Sequence, residues 1–165
     1  GYLRTFDGYY VSGDGGYIDE DGYLFVQGRT DDIINVAGHR LSTGEMEEVV
    51  AGHEAIAECA VIGQASDLKG EEPLGLLLLK DGVTIDEATL ESEVIQRVRE
   101  NIGAVASFRH AVVVQRLPKT RSGKILRKVL RNIANSEEYQ TPSTIDDPAC
   151  LVEIEDVLSK KGLRK

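Results

Sequence analysis

The sequence predicts an α+β domain, a small mixed β-sheet covered by helices, with a β-hairpin ahead of it. Three observations lead there. The chain has 165 residues, enough for one core of roughly 100–200 residues with a little left over. Glycine and aspartate punctuate short aromatic runs in the first thirty residues, which is a hairpin pattern. From Ile33 onward the apolar residues alternate between strand and helix periods, giving the order β-α-β-β-α-β-loop-α.

Each element follows from local chemistry. Tyr9-Tyr10-Val11 leads into Ser12-Gly13-Asp14-Gly15-Gly16, and Tyr23-Leu24-Phe25-Val26 follows Glu20-Asp21-Gly22, so two extended runs face each other across turns. Ile33-Ile34-Asn35-Val36 reads as a short strand and Ala37-Gly38-His39-Arg40 as a turn. Ser42 with Glu45 forms a capping box. Met46, Val49 and Val50 supply an apolar helix face that Gly52 ends. Ile56 to Gly63 reads as a strand and Leu74 to Leu79 as a more buried one, with Pro73 placed just before it. A second helix runs from about Asp86 to Ile102, carrying Leu90, Val94, Val98 and Ile102 at four-residue spacing, and Gly103 stops it. Ala111 to Gln115 is a further strand, and Ile125, Val129, Leu130 and Ile133 mark the last strong helix. Beyond Asn135 the pattern fades into polar residues, then a weak amphipathic stretch near Leu151 to Leu158.

Composition excludes several classes of function. Nineteen Lys+Arg against 28 Asp+Glu give a net charge of −9, which argues against a nucleic-acid coat or a polybasic membrane binder. Two cysteines do not make a disulfide scaffold, and no Cys/His cluster suggests zinc, so no metal site is expected. No apolar run approaches the roughly 20 residues of a transmembrane helix, and the opening residues lack a signal peptide's pattern. The expectation is a soluble protein of a reducing, cytoplasmic compartment.

The charge is unevenly spread. Arg116, Lys119, Arg121, Lys124, Arg127, Lys128 and Arg131 place 7 of the 19 bases in 16 positions with no acid among them. Such a cluster either holds an anion or is a solvated helix face. Two familiar phosphate loops do not fit. The Gly13-Asp14-Gly15-Gly16 stretch has Ile18 where a dinucleotide fingerprint needs its third glycine, and Gly123-Lys124 is followed by Ile125 rather than Ser or Thr. His39, His53 and His110 have no metal-ligand spacing. The turn from Ala51 to Ile56 offers helix-end carbonyls to a cation, or is simply a helix stop.

Three segments are richer in chemistry. Asp14 in its glycine turn can accept hydrogen bonds from two neighbouring hydroxyls, or merely form the turn. Arg29 and Arg40 stand beside glycines, as a ligand approached by backbone and guanidinium requires. Residues 117–124 carry too many special residues for a plain connector. Together Tyr10-Val11-Ser12-Gly13-Asp14, Gly28-Arg29-Thr30-Asp31-Asp32-Ile33-Ile34-Asn35-Val36-Ala37-Gly38-His39-Arg40-Leu41 and Pro118-Lys119-Thr120-Arg121-Ser122-Gly123-Lys124 resemble the C-terminal motifs of the adenylate-forming enzymes. The branch they resemble is the short-chain acyl-CoA synthetases of the acetyl- and propionyl-CoA synthetase type. The tail YQTPSTIDDP, residues 139–148, looks more like the propionate subgroup.

The resemblance implies a ligase that joins a carboxylate to AMP, releasing pyrophosphate, then passes the acyl group to coenzyme A. It implies ATP, coenzyme A and Mg, the last held mostly by an N-terminal adenylation domain. Asp14 and Arg29 would hold the ribose, Arg40 would face phosphate, and Asp31 would be the hinge of a rotating small domain. Gly38 would line the pantetheine tunnel and Arg99 would meet the nucleotide end of coenzyme A. Lys124 would be the adenylation lysine and, through a lysine acetyltransferase and deacetylase, a regulatory acetylation site. The implied organisation is a terminal hairpin of the N-terminal domain over 1–30, a mobile α+β domain over 31–137 and an extension over 138–165. Such a chain is expected to be an incomplete enzyme, inactive alone, whose partners are its own N-terminal domain and a small carboxylic acid. The alternative is a non-catalytic anion- or partner-binding α+β module.

Overall fold

The computed structural model describes residues 6–165, apart from the side chains of Gln27 and Asp31. Residues 1–5 of the predicted hairpin region lie outside the described residues. Strands β1 (Asp14–Ile18) and β2 (Leu24–Arg29) pair antiparallel. Asp19 closes the turn between them, its Oδ1 accepting from Asp21 N at 3.1 Å and Tyr23 N at 2.8 Å. The hairpin is as expected, but its first strand is the glycine-containing run and not Tyr9-Tyr10-Val11. Propensity favoured the aromatics, whereas cross-strand pairing with β2 selects the residues after Gly13.

A single 3-10 turn, Thr30–Asp32, leads into β3 (Ile33–Val36), which pairs antiparallel with β4 (His39–Ser42). The sequence reading placed His39 and Arg40 in the turn. The reversal needs only Ala37 and Gly38, both at positive φ (49° and 87°), and a two-residue turn of that hand matches strand twist. His39 and Arg40 are therefore strand residues, and an extra strand enters the order.

The main sheet runs β4-β3-β6-β5, with β5 (Ile56–Ser66) and β6 (Gly70–Leu79) antiparallel and β7 (His110–Val113) parallel to β6. It is mixed, as predicted. Both central strands are longer than their apolar runs, and Pro73 lies inside β6, opposite Gly63. It falls between the Val36–Gly70 pairing and the β7 ladder that starts at Leu74, where no second strand asks for its missing N–H.

Helices cover both faces. Alternation along β5 sends Cys59 and Val61 toward α1 (Thr43–Ala51) and α2 (Glu87–Asn101), and Ala60 and Ile62 toward α3 (Arg127–Ala134) and α4 (Ala149–Lys160). Ser42 Oγ accepts from Glu45 N at 3.4 Å, so the predicted Ser42 N-cap forms, and Asp86 Oδ2 accepts from Thr89 N at 2.9 Å as the N-cap of α2. Gly52 ends α1 with right-handed φ. Its need for glycine is space, since a Cβ there would lie 2.5 Å from the Arg97 guanidinium. Ile125 does not start α3: it bridges to Lys119, and the helix begins at Arg127. The weak amphipathic stretch at the C-terminus is α4, whose Cys150, Leu151, Ile154 and Leu158 are buried in the same core as α3.

The outer edge of β5 is covered by side chains. Val61 N donates to Glu47 Oε1 at 2.8 Å, and Ala65 N to Asn135 Oδ1 at 2.9 Å, which occupies groups that would otherwise template a foreign strand. Helix α3 ends in a double bond pattern: Ser136 N donates to Ile133 O and Glu137 N to Asn132 O, with Ser136 at φ 53°. Ser136→Gly is expected to raise stability by about 0.5–1 kcal/mol because it relieves the left-handed strain. A thermal melt checks it, and an unchanged or lower Tm would show that the serine is not strained.

Candidate nucleotide and acyl-transfer site

The open end of the β1–β2 hairpin builds the first part of the site. Asp14 and Arg29 are register partners across the strands, with Arg29 Nη1 3.9 Å from Asp14 Oδ1. Arg29 Nη1 also donates to the Ser12 carbonyl at 3.0 Å, and Thr30 donates to the Gly13 carbonyl through both N (2.8 Å) and Oγ1 (2.9 Å). These bonds fold the Ser12-Gly13 loop over the guanidinium and leave the half-exposed Asp14 carboxylate facing out. A carboxylate there can accept from a pair of vicinal hydroxyls.

Beside this pair a cleft opens between the hairpin and the start of the α+β domain. It encloses about 1360 Å³ out to its open mouth. Gly15, Gly16 and Gly28 give it a backbone wall, and Arg29, Arg40 and Arg127 bring three guanidiniums to it. The structure thus brings Arg29 and Arg40 together, with Asp14 next to Gly15. Such a surface suits a phosphorylated ligand, which bidentate guanidinium contacts and bare backbone both favour.

Arg127 was not singled out by the sequence reading. It makes a two-pronged pair with Glu47, Nε to Oε1 at 2.8 Å and Nη2 to Oε2 at 2.6 Å, and both groups are largely buried. Those hydrogen bonds raise the Arg127 pKa further above its ordinary value. Glu47 in turn helps keep Cys59 a thiol: burial first, then the Glu47 charge, pushes it up to about 12. In a run of seven bases nothing local distinguishes Arg127, because its partner lies 80 residues away.

The basic run is less of a free anion site than its sequence suggests. Arg116 bonds Asp147 and Glu153, Lys119 pairs with Glu58, and Arg127 with Glu47. The acids come from other elements. For Arg121, Lys124 and Lys128 no acidic partner lies within 4.0 Å among the described residues.

Lys124 is exposed at the end of a tight turn. Thr120 N donates to the Lys124 carbonyl at 2.8 Å, Lys124 N to Thr120 Oγ1 at 3.1 Å and Gly123 N to the Thr120 carbonyl at 2.8 Å. The backbone is fixed while the side chain projects to solvent, and Lys124 does not line the arginine cleft. Gly38 sits at the tip of the β3–β4 hairpin, two residues before Arg40, and a Cβ added there would meet nothing within 4 Å. What demands glycine within this chain is φ. The backbone of Asp31 lies in the 3-10 turn joining hairpin and domain, and its side chain is outside the described part. Arg99 lies in the last turn of α2 and lines a separate open groove with Val98, Gly103, Phe108 and Arg109, which shares no residue with the arginine cleft.

The turn after α1 uses several of its carbonyls within the chain. The carbonyls of Glu48, Val50, His53 and Ala55 already accept backbone N–H groups. His53 Nδ1 accepts from Ala55 N at 3.2 Å and Nε2 faces Glu93 at 3.0 Å, which fixes the ring. Among the described residues no three His, Cys, Asp or Glu side chains converge as metal ligands.

Residues 45–124 match the model of the AMP-binding enzyme C-terminal domain. An uncharacterized protein of Pseudomonas aeruginosa is 63% identical over 157 residues, covering 95% of this chain and 25% of that protein. The mitochondrial acyl-CoA synthetase short-chain family member 3 of Homo sapiens is 48% identical over 159 residues, covering 96% of this chain and 23% of that one. Among solved structures, an anthranilate CoA ligase in complex with anthranoyl-AMP superposes with a TM-score of 0.65 at 35% identity, covering 74% of this chain and 24% of that one. The chain therefore spans about a quarter of the length of the relatives it matches. With this fold and these relatives, the chain carries an AMP-binding enzyme C-terminal domain and is homologous to the C-terminal region of the short-chain acyl-CoA synthetases.

Proposed function

We propose that this chain is the C-terminal part of an ATP-dependent, AMP-forming acid–CoA ligase that favours propionate over acetate. The observation that carries the reading is the Asp14–Arg29 pair opening onto a cleft walled by glycine backbone and Arg40. In the first half-reaction a carboxylate oxygen attacks the α-phosphorus of ATP, and pyrophosphate leaves. Asp14 and Arg29 hold the ribose and Arg40 a phosphate. Lys124 brings its ammonium to the charge that builds on the α-phosphoryl oxygens. In the second half-reaction the thiol of coenzyme A attacks the acyl carbon, and AMP leaves. Gly38 then lines the passage for the pantetheine arm and Arg99 meets the nucleotide end. The turn at Asp31 is the hinge between the two arrangements, and Lys124's position outside the cleft supports a lysine delivered by rotation. A bound Mg, held mainly by the N-terminal domain, would neutralise the phosphates of ATP. We place the protein in the cytoplasm, a location the two free cysteines are consistent with.

The N-terminal adenylation domain is the proposed covalent partner. A two-stranded ribbon is marginal by itself, and β1–β2 leaves Tyr17, Ile18, Tyr23, Leu24 and Val26 all more than half exposed. A larger domain would bury those side chains. The experiment is reconstitution: with ATP, CoA and propionate the 165-residue chain alone is expected to give no acyl-CoA. Mixed with the N-terminal half, it is expected to restore turnover, faster on propionate than on acetate. Turnover by the chain alone, or none from the mixture, would favour an anion- or partner-binding module instead.

A further inference from the structure

The turn that carries Lys124 is built into the C-terminal tail. Residues 119–121 form the middle of three short extended segments: Lys119 bridges to Ile125 on one side and Thr120 to Ile145 on the other. Arg121 N donates to the Thr144 carbonyl at 3.0 Å and Asp146 N to the Lys119 carbonyl at 2.9 Å. Ile145 between them is buried in the core shared with α3 and α4. Just outside this ladder Arg116 bonds Asp147 and holds Glu153 of α4 through Nε at 3.1 Å and Nη2 at 2.5 Å. Asp147 Oδ1 also accepts from Ala149 N at 2.9 Å where α4 begins. Glu153 on α4 and Asp147 just before it thus hold Arg116, three residues ahead of Lys119, and the paired segments hold the turn.

We infer that Arg116, Asp147 and Glu153 are positioning residues for Lys124, so that the C-terminal tail sets the adenylation half-reaction and not the thioester half-reaction. The inference rests on the adenylation role proposed for Lys124. The physical ground is that the lysine must meet a transition state from a turn whose tip is free. Residual play in the turn misplaces the ammonium, and small misplacements of reacting groups cost large factors in rate. Thioester formation makes no demand on that turn.

The test uses the full-length ligase and two variants, Arg116→Gln and the near-isosteric pair Asp147→Asn/Glu153→Gln, with Lys124→Ala alongside. Pyrophosphate release is expected to fall about tenfold in both, with KM for ATP unchanged. Thioester formation from preformed acyl-adenylate stays at its original rate, and the amides of Arg121 and Asp146 exchange faster with solvent. Equal loss of both half-reactions, or unchanged pyrophosphate release, overturns the inference. If Arg116→Gln fails to fold, the carboxylate variant decides alone. Loss of adenylation in Lys124→Ala beside an unaffected Arg116→Gln removes the tail's role and leaves the lysine's. Unchanged adenylation in Lys124→Ala removes both.

Discussion

Lys124→Ala in the full-length protein is expected to slow pyrophosphate release by about 10²–10³-fold, or roughly 3–4 kcal/mol of barrier. Two anions meet when the substrate carboxylate attacks the α-phosphate, and the ammonium is placed to offset both the repulsion and the growing negative charge. No described carboxylate lies within 4.0 Å of it in this arrangement. The thioester step, started from preformed acyl-adenylate, is expected to keep its rate. A Lys124 that carries an acetyl group loses the same charge and should show the same split. Measured separately, the two half-reactions decide: a rate of pyrophosphate release that survives either change would end the assignment.

The second large effect is on stability. Glu47→Ala is expected to cost about 3 kcal/mol, because it strands the Arg127 guanidinium and the Val61 N–H in a largely buried place. With a urea slope of roughly 1–3 kcal/mol/M that is a midpoint lower by about 1–3 M. The neighbouring Glu48 is exposed, and Glu48→Ala should stay within about 0.5 kcal/mol. Equal midpoints for the two variants would mean that the pair holds nothing together. The same substitution takes away one cause of the raised Cys59 pKa, so the thiol should titrate lower than about 12.

Where the chemistry is local, the sequence was legible. Ser42 declares its helix through a side-chain oxygen that reaches only three residues ahead. Val94 and Val98 declare a buried face by spacing alone. Asp14, Arg29 and Arg40 were visible as chemistry beside glycines, and the fold brings them to one place. What stayed hidden depends on partners far along the chain. β4 escaped notice because its pairing with β3, not its composition, makes it a strand. Arg127 looked like any base in its run until Glu47 was found opposite it. Helix α4 read as weak because its four buried side chains gain meaning only against a sheet face already formed.

That last point bears on how the protein can be handled. Because α4 packs on α3 and shares its core, residues 138–165 cannot be treated as a disposable tail. A protease nick or a stop codon near position 137 would remove Ile145, Cys150, Leu151, Ile154 and Leu158 from the core they share with Leu130 and Ile133 of α3, and the shortened product should clump in the cell. Affinity tags and fusion junctions are better placed beyond Lys165, because buried Gln64 donates to the Leu163 carbonyl and Lys165 N donates to the Ala134 carbonyl at 3.0 Å.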